Sequence, residues 1–314
     1  MGGFILEYWQ LKQKQSLPLE AKIIMTKNRI REWYEFYEGD VYVSFSGGKD
    51  STVLLDLVRN IYPDVVGVFV DTGLEYPEIK DFVKTIDNLI TIRPKMSFRE
   101  VLNKYGYPVI SKEQSFRIRK LRHMNLTDKY RKAQMNKLGK WHILLDANFE
   151  TSEQCCDFMK KKPFKSYEKK TKQHPILGMM AGESYYRSQQ YLKTGCNAFD
   201  KGRPQSQPLG FWRERDIWEY LKKYNLPYSK IYDMGEKRTG CMFCMFGVHL
   251  EGHPNRFQRM AKTHPKLYEY CIGDLGLGEI LDFIQVPYRI YEKGIIGECK
   301  KDSEGRKFEQ LKLI

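Results

Sequence analysis

Val41-Tyr-Val-Ser44-Phe-Ser46-Gly47-Gly48-Lys49-Asp50-Ser51-Thr52-Val-Leu-Leu-Asp-Leu-Val58 reads as an alternating strand, a glycine turn and the opening turns of an apolar helix. A strand that runs through a glycine turn into a helix N-terminus makes an anion site. The first N–H groups of the helix lack intrahelical partners, and the positive end of its dipole faces the turn. Gly47 and Gly48 let the backbone approach a ligand closely. Lys49 adds a point charge, and the hydroxyls of Ser46, Ser51 and Thr52 add donors. The Gly-x-x-x-x-Gly-Lys spacing of a Walker loop is missing, and so is a dinucleotide fingerprint. Lys49, Asp50 and Ser51 are the candidate catalytic residues, and Ser44 and Ser46 to Thr52 the candidate anion-binding ones.

Downstream, Asp64 to Val70 is a near-continuous apolar run, as expected of a strand buried on both faces of a parallel sheet. Strand, helix and strand within about thirty residues form a right-handed βαβ unit. Asp71-Thr72-Gly73 follows at the carboxyl edge, where open α/β sheets bind ligands. Asp71 is placed to accept hydrogen bonds from a ribose or base, or to cap the next helix. That helix begins near Pro77 and runs to about Asn88, and Leu89 to Ile92 is a third strand. Upstream, residues 1–16 read as a loose arm or a first helix. A second helix starts at Leu17-Pro18-Leu19 and packs Leu19, Ile23, Ile30, Trp33, Tyr34 and Tyr37 beside the nucleotide domain.

The 314 residues suffice for one sizeable core or two modest ones. Seven cysteines, two of them adjacent, do not make a secreted disulfide framework. No signal peptide and no run of about 18 apolar residues is visible, so a cytoplasmic setting without membrane contact is expected. The formal net charge is +14. From Arg93 to Lys140 there are fourteen Lys/Arg against three Asp/Glu, and from Lys160 to Lys172 seven Lys against Glu168. Such concentration suits a polyanion such as nucleic acid, and equally a solvated lysine face.

Residues 97–140 read as a basic helical insertion broken at Gly106-Tyr107-Pro108, and 160–172 as an exposed loop. His174 to Arg187 is another strand-to-helix turn. Gly182 supplies its bend, and Arg187, one turn into the helix, is placed to reach a phosphate or sulfate. The expected division is an N-terminal helical arm (1–40), a nucleotide-binding α/β domain (41–235) carrying the insertion, and a Cys-x-x-Cys segment with a mostly helical C-terminal region (236–314).

Ser46-Gly-Gly-Lys-Asp-Ser51 resembles the PP-loop of ATP pyrophosphatases. Together with Asp71-Thr72-Gly73 and the series Pro208-Leu209, Trp212, Asp216-Ile-Trp218, Pro227-Tyr228, Gly240-Cys241, it resembles the phosphoadenosine phosphosulfate (PAPS) reductase family of the adenine nucleotide α-hydrolase superfamily. The resemblance covers roughly residues 38 to 250. It implies a Rossmann-like (HUP-type) parallel sheet with helices on both faces, and an adenine nucleotide bound at the loop. Two departures stand out. Sulfonucleotide reductases usually carry an altered loop, whereas Lys49 and Asp50 here match the ATP-binding form. Their tail motif Glu-Cys-Gly-Leu-His is replaced by Glu298-Cys299-Lys300-Lys301-Asp302, which makes Cys299 an incidental tail cysteine.

Both departures favour relatives that use ATP with Mg²⁺ to activate an acceptor for sulfur insertion, as in tRNA thiolation or DNA phosphorothioation. That reading implies tRNA or DNA and a sulfur-donor protein, such as a cysteine desulfurase, as partners. A reductase making sulfite from adenylyl sulfate (APS) or PAPS is the alternative, and a non-catalytic nucleotide sensor a third. Cys155-Cys156 and Cys241-x-x-Cys244 resemble the arrangement that holds a [4Fe–4S] cluster in APS reductases, one thiolate per iron. A Cys₄ zinc site, a local zinc site from Cys241, Cys244, His249 and His253, and a redox disulfide between Cys241 and Cys244 compete with it.

Overall fold

The structure, a computed structural model, describes residues 6–199, 202–291, 295–301 and 307–313. In chain order its elements are α1 (Tyr8–Ser16), α2 (Leu19–Phe36), β1 (Val41–Phe45), α3 (Lys49–Arg59), β2 (Gly67–Val70), α4 (Pro77–Lys84), β3 (Leu89–Ile92) and α5 (Phe98–Tyr105). Then come β4 (Val109–Ile110), α6 (Lys112–His123), α7 (Asp128–Leu138), α8 (Lys162–Thr171), β5 (His174–Leu177), α9 (Tyr185–Thr194), β6 (Asn197–Ala198) and β7 (Gln205–Ser206). The chain continues through α10 (Glu214–Lys223), β8 (Met245–Phe246), α11 (Arg256–Thr263), α12 (Pro265–Glu269), α13 (Leu277–Phe283), β9 (Ile290–Tyr291), β10 (Ile295–Lys301) and β11 (Lys307–Leu313).

Two compact units share these elements. Unit 1 comprises residues 1–94 and 160–239, and unit 2 residues 95–159 and 240–314. Unit 1 is α/β and Rossmann-like. Its sheet has the order β3-β2-β1-β5-β7-β6, parallel except for the β6–β7 pair. Successive strand residues point to opposite faces, so a strand buried at every position is covered on both. All of β2 is buried, and all of β1 except the half-buried Ser44. The edge strand β3 is half-buried or exposed throughout.

The N-terminal helices belong to this unit. Lys22 is fully buried in α2, where its ammonium lies 2.5 Å from Asp216 and donates to the Gln15 carbonyl at 2.9 Å. The Trp212 indole donates to Thr26 at 2.8 Å. The lysine-rich segment 160–172, expected as an exposed loop, is instead largely the helix α8. Pro163 sits in its first turn, and Phe164 and Tyr167 turn one face onto the ring of Tyr42. Glu168 accepts from the Tyr42 hydroxyl at 2.7 Å and pairs with Arg203. An apolar face, interleaved with lysines, makes the segment a helix.

In unit 2, β4 pairs in parallel with β8, and the Gly247 N–H donates to the Ile110 carbonyl at 2.8 Å. The expected break at Gly106 is real. Gly106 has φ +96°, and a Cβ there would lie 2.5 Å from the Glu150 carbonyl. This unit departs from the expected division, since the basic insertion and the Cys-x-x-Cys segment share one discontinuous unit. The tail also departs from the helical expectation: β9, β10 and β11 form an antiparallel sheet in which Cys299 pairs with Glu309. Ile290, Ile295-Ile296 and the alternating Lys307–Leu313 carry the β pattern there.

Candidate active site

The glycine turn between β1 and α3 is built as its residue types require. Gly47 takes φ +71°, and a Cβ on it would stand 2.7 Å from Ile79 and 2.9 Å from Val83 of α4. A Cβ on Gly48 would stand 2.3 Å from the Thr239 hydroxyl. Gly47 therefore needs glycine for its backbone, and a side chain on Gly48 would have to displace the Thr239 hydroxyl. The Ser51 hydroxyl donates to the Gly48 carbonyl at 2.8 Å and accepts from the Ser46 N–H at 3.1 Å. The Thr52 hydroxyl donates to the same carbonyl at 3.1 Å, and the Ser46 hydroxyl accepts from the Gly48 N–H at 3.3 Å. These three hydroxyls hold the loop's shape. Ser44 is a half-buried strand residue just before it.

Lys49 opens α3. Its ammonium lies 3.4 Å from Asp50 and 3.3 Å from Glu214, and sits 5.9 and 5.5 Å from the ring centres of Trp218 and Tyr232. Burial opposes its charge, but Asp50, Tyr232 and Glu214 outweigh burial and hold its pKa above the usual lysine value. For Asp50 burial wins: it pushes the carboxyl above the usual aspartate range against the pull of Lys49, and Glu183 and Glu214 push the same way. Asp50 Oδ1 is buried without a hydrogen bond. The cation facing this oxygen is the Lys49 ammonium at 3.4 Å, and a bound metal ion would compete with it there.

The other expected residues divide. Asp71, at the end of β2, lies 3.0 Å from Lys80 and 3.4 Å from Arg93 and accepts from the Gly73 N–H at 3.2 Å. Burial works against its charge, but Lys80, the Gly73 N–H and Arg93 prevail and hold its pKa below the usual value. Thr72 is committed locally: its N–H and hydroxyl both donate to Glu75, at 3.1 and 2.6 Å. Gly73 has φ +76°, as a turn glycine should. Gly182 lacks a left-handed φ, and its hypothetical Cβ meets nothing closer than 3.9 Å, so the bend does not require glycine there. The glycine that does matter in this turn is Gly178, whose Cβ would lie 3.1 Å from the Asp50 carbonyl. Arg187 is paired with Glu183. Glu75, Gly178, Glu214 and Tyr232 were not anticipated from the sequence, and Trp218 only as a member of the family's motif series, although Gly178 closes an apolar strand in plain view.

A profile of the phosphoadenosine phosphosulfate reductase domain matches residues 40–140 and 125–246. The chain belongs to the phosphoadenosine phosphosulfate reductase family. Among relatives of this PAPS reductase family member, an uncharacterized protein of Methanocaldococcus jannaschii is 28% identical over 262 residues, 78% of this chain and 51% of that protein. A second uncharacterized protein of the same organism matches over 42% of its length, so the chain spans about half or less of these two relatives. An adenosine 5'-phosphosulfate reductase of Staphylococcus epidermidis is 27% identical over 247 residues, 76% of this chain and 85% of that enzyme. Among solved structures, the PAPS reductase of Candida auris superposes with TM-score 0.43 at 17% identity, over 76% of this chain and 98% of that one. The U34-tRNA thiolase NcsA of Methanococcus maripaludis, solved with its [4Fe-4S] cluster, superposes with TM-score 0.37 at 16% identity, over 86% and 83%.

All four candidate ligand cysteines of this family member lie in unit 2. Buried Cys155 and half-buried Cys156 open a helical stretch, and the Cys244 N–H donates to the Cys241 carbonyl at 3.1 Å in a tight turn. Among the described residues, no three His, Cys, Asp or Glu side chains are gathered as a metal site. The donor chemistry, four thiols in one unit, fits an iron–sulfur cluster.

The basic segments are partly spent inside the fold. Arg119 forms a paired contact with Glu153, Arg122 donates to the Phe149 and Ala147 carbonyls, and Arg131 donates to the Leu121 carbonyl. No helix among the described residues is long and apolar enough to cross a membrane.

Proposed function

We propose that this PAPS reductase family member is an ATP pyrophosphatase that adenylates an acceptor for sulfur transfer. The observation that carries the reading is the Gly47–Gly48 turn with Lys49 and Asp50 at the head of α3. An acceptor oxygen attacks the α-phosphorus of ATP, forming the new P–O bond as the bond to pyrophosphate breaks. The acceptor's proton leaves to solvent. The α3 N-terminus and Lys49 stabilise the charge gathering on pyrophosphate. Asp50 would hold Mg²⁺, which neutralises part of the same charge. A hydrosulfide then forms a bond to the activated acceptor carbon or phosphorus, and AMP departs with the bonding oxygen.

Cys155, Cys156, Cys241 and Cys244 would hold a [4Fe–4S] cluster, one thiolate per iron. Zinc is the alternative occupant. The remaining lysines and arginines of α6, α7 and α8 supply positive charge for a tRNA or DNA acceptor, with sulfur delivered by a donor protein such as a cysteine desulfurase. Such binding would weaken steeply with salt.

The 27% identity to an adenosine 5'-phosphosulfate reductase over 85% of its length supports a second reading, reduction of APS or PAPS to sulfite. Anaerobic calorimetric titration with Mg-ATP, APS and PAPS separates the two. We expect Mg-ATP to bind, and Lys49→Ala to weaken it and abolish pyrophosphate release. Tighter binding of APS or PAPS than of ATP would establish the reductase reading instead. Binding of ATP with no pyrophosphate release in the presence of any nucleic-acid acceptor would leave a nucleotide sensor.

A further inference from the structure

Glu214 is the first residue of α10, and its carboxylate lies 3.3 Å from the Lys49 ammonium. The same ammonium lies 3.4 Å from Asp50, so two carboxylates share one cation. They are not equivalent. The Asp50 side chain is 25% exposed with Oδ1 buried, whereas the Glu214 side chain is 62% exposed. Glu214 can rotate into water with little loss of solvation, and Asp50 cannot. Lys49 itself is enclosed by the rings of Trp218 and Tyr232, and only 6% of its side chain is exposed. The start of α10 is fixed as well. Asp216 accepts from the Arg213 N–H at 2.7 Å and is locked to the buried Lys22. Glu214 is thus delivered to Lys49 by a rigid helix start, while its own side chain remains free to leave.

We propose that Glu214 is a displaceable counter-ion that sets how much negative charge an anion must bring before the phosphate loop accepts it. An anion that takes Lys49 as its partner meets a like charge already in contact with it. A singly or doubly charged anion such as phosphate or sulfate gains too little from Lys49 to expel the carboxylate. A polyphosphate brings more charge and several contact points, and expels it. The proposal rests on the reading of residues 46–52 as a polyphosphate loop. It adds the specificity device: selection of the pyrophosphate group over the single phosphates abundant in any cell.

The test is calorimetric titration of the full chain with inorganic pyrophosphate, inorganic phosphate and Mg-ATP, using wild type, Glu214→Gln, Lys49→Met and the double variant. Glu214→Gln should bind pyrophosphate about fivefold more tightly, the order expected for relieving one partly exposed charge contact. It should narrow the preference for pyrophosphate over phosphate. In the Lys49→Met background the same change should have no effect, because the two residues act through one contact. A structural role for Glu214 would weaken binding instead. Unchanged or weaker binding by Glu214→Gln overturns the proposal, as does equal tightening in the Lys49→Met background. If neither wild type nor Glu214→Gln binds pyrophosphate or Mg-ATP, the polyphosphate loop falls and the proposal with it. If APS proves the better ligand while Glu214→Gln still tightens pyrophosphate, the role of Glu214 stands and the ATP pyrophosphatase reading falls.

Discussion

The backbone N–H of Lys49 donates to the phenolic oxygen of Tyr232 at 2.9 Å, across 183 positions of sequence. A side chain from a distant turn thus satisfies one of the donors that a helix N-terminus leaves open. Tyr232→Phe keeps the ring beside the Lys49 ammonium and removes the hydroxyl that serves the Lys49 N–H and the Thr239 side chain. It should cost about 1 kcal/mol in urea unfolding. Saturating pyrophosphate should shrink the difference, since a phosphate oxygen can take the same N–H.

Gly47→Ala places a methyl group 2.7 Å from Ile79 in a left-handed backbone conformation. Strain and overpacking together should cost about 3 kcal/mol and abolish Mg-ATP binding. Gly182→Ala is the control. Its site is open and its backbone ordinary, so thermal unfolding should move by less than about 0.5 kcal/mol.

Lys22→Met leaves the buried Asp216 with only the exposed Arg215, 3.5 Å away, as a counter-charge and should cost about 3 kcal/mol by denaturant unfolding. Adding Asp216→Asn removes that charge and preserves an acceptor for the Arg213 N–H. The double variant should recover part of the loss, and failure to recover any would show that the charge is not the source of the cost.

Asp71 has a depressed pKa in the folded chain, so its contribution to stability is present above the ordinary 3.8 and is lost as pH falls through the folded value. Asp71→Asn should be the less stable protein at pH 7. The gap to wild type should close as the medium is acidified below about pH 4. A gap independent of pH would assign the loss to hydrogen-bond geometry rather than to charge.

Protein purified without oxygen should carry about four iron atoms per chain with broad visible absorption, and Cys244→Ser should lower both. A colourless protein containing one zinc would point to the alternative occupant, and loss of that zinc on Cys155→Ser would identify a four-thiolate site.

The β1–loop–α3 unit was legible because its signals are local: alternation in Val41–Phe45, glycines at the turn, and an apolar helix start. Asp71 was legible for the same reason, as an acidic residue directly after an apolar run. The surroundings of Lys49 were not. Glu214, Trp218 and Tyr232 arrive from more than 160 positions away, and each alone resembles an ordinary surface or core residue. Lysine content hid α8, since counting charge obscures the spacing of Phe164 and Tyr167. The boundaries of unit 2 were illegible because a short parallel pairing, β4 with β8, joins segments that no composition change marks as partners.

The discontinuity of unit 2 also bears on the order of events during synthesis. Cys155 and Cys156 leave the ribosome with β4 before any of residues 240–314 exist, and 84 residues separate Cys156 from Cys241. At translation speeds of about 5–20 residues per second, the tandem thiols wait on the order of ten seconds for their counterparts. Through that interval β4 has no β8 to pair with, while β5, β6 and β7, half of the sheet of unit 1, are still to come. Nascent chains arrested between residues 160 and 240 should therefore present the Cys155–Cys156 pair to thiol reagents far more readily than the finished protein does.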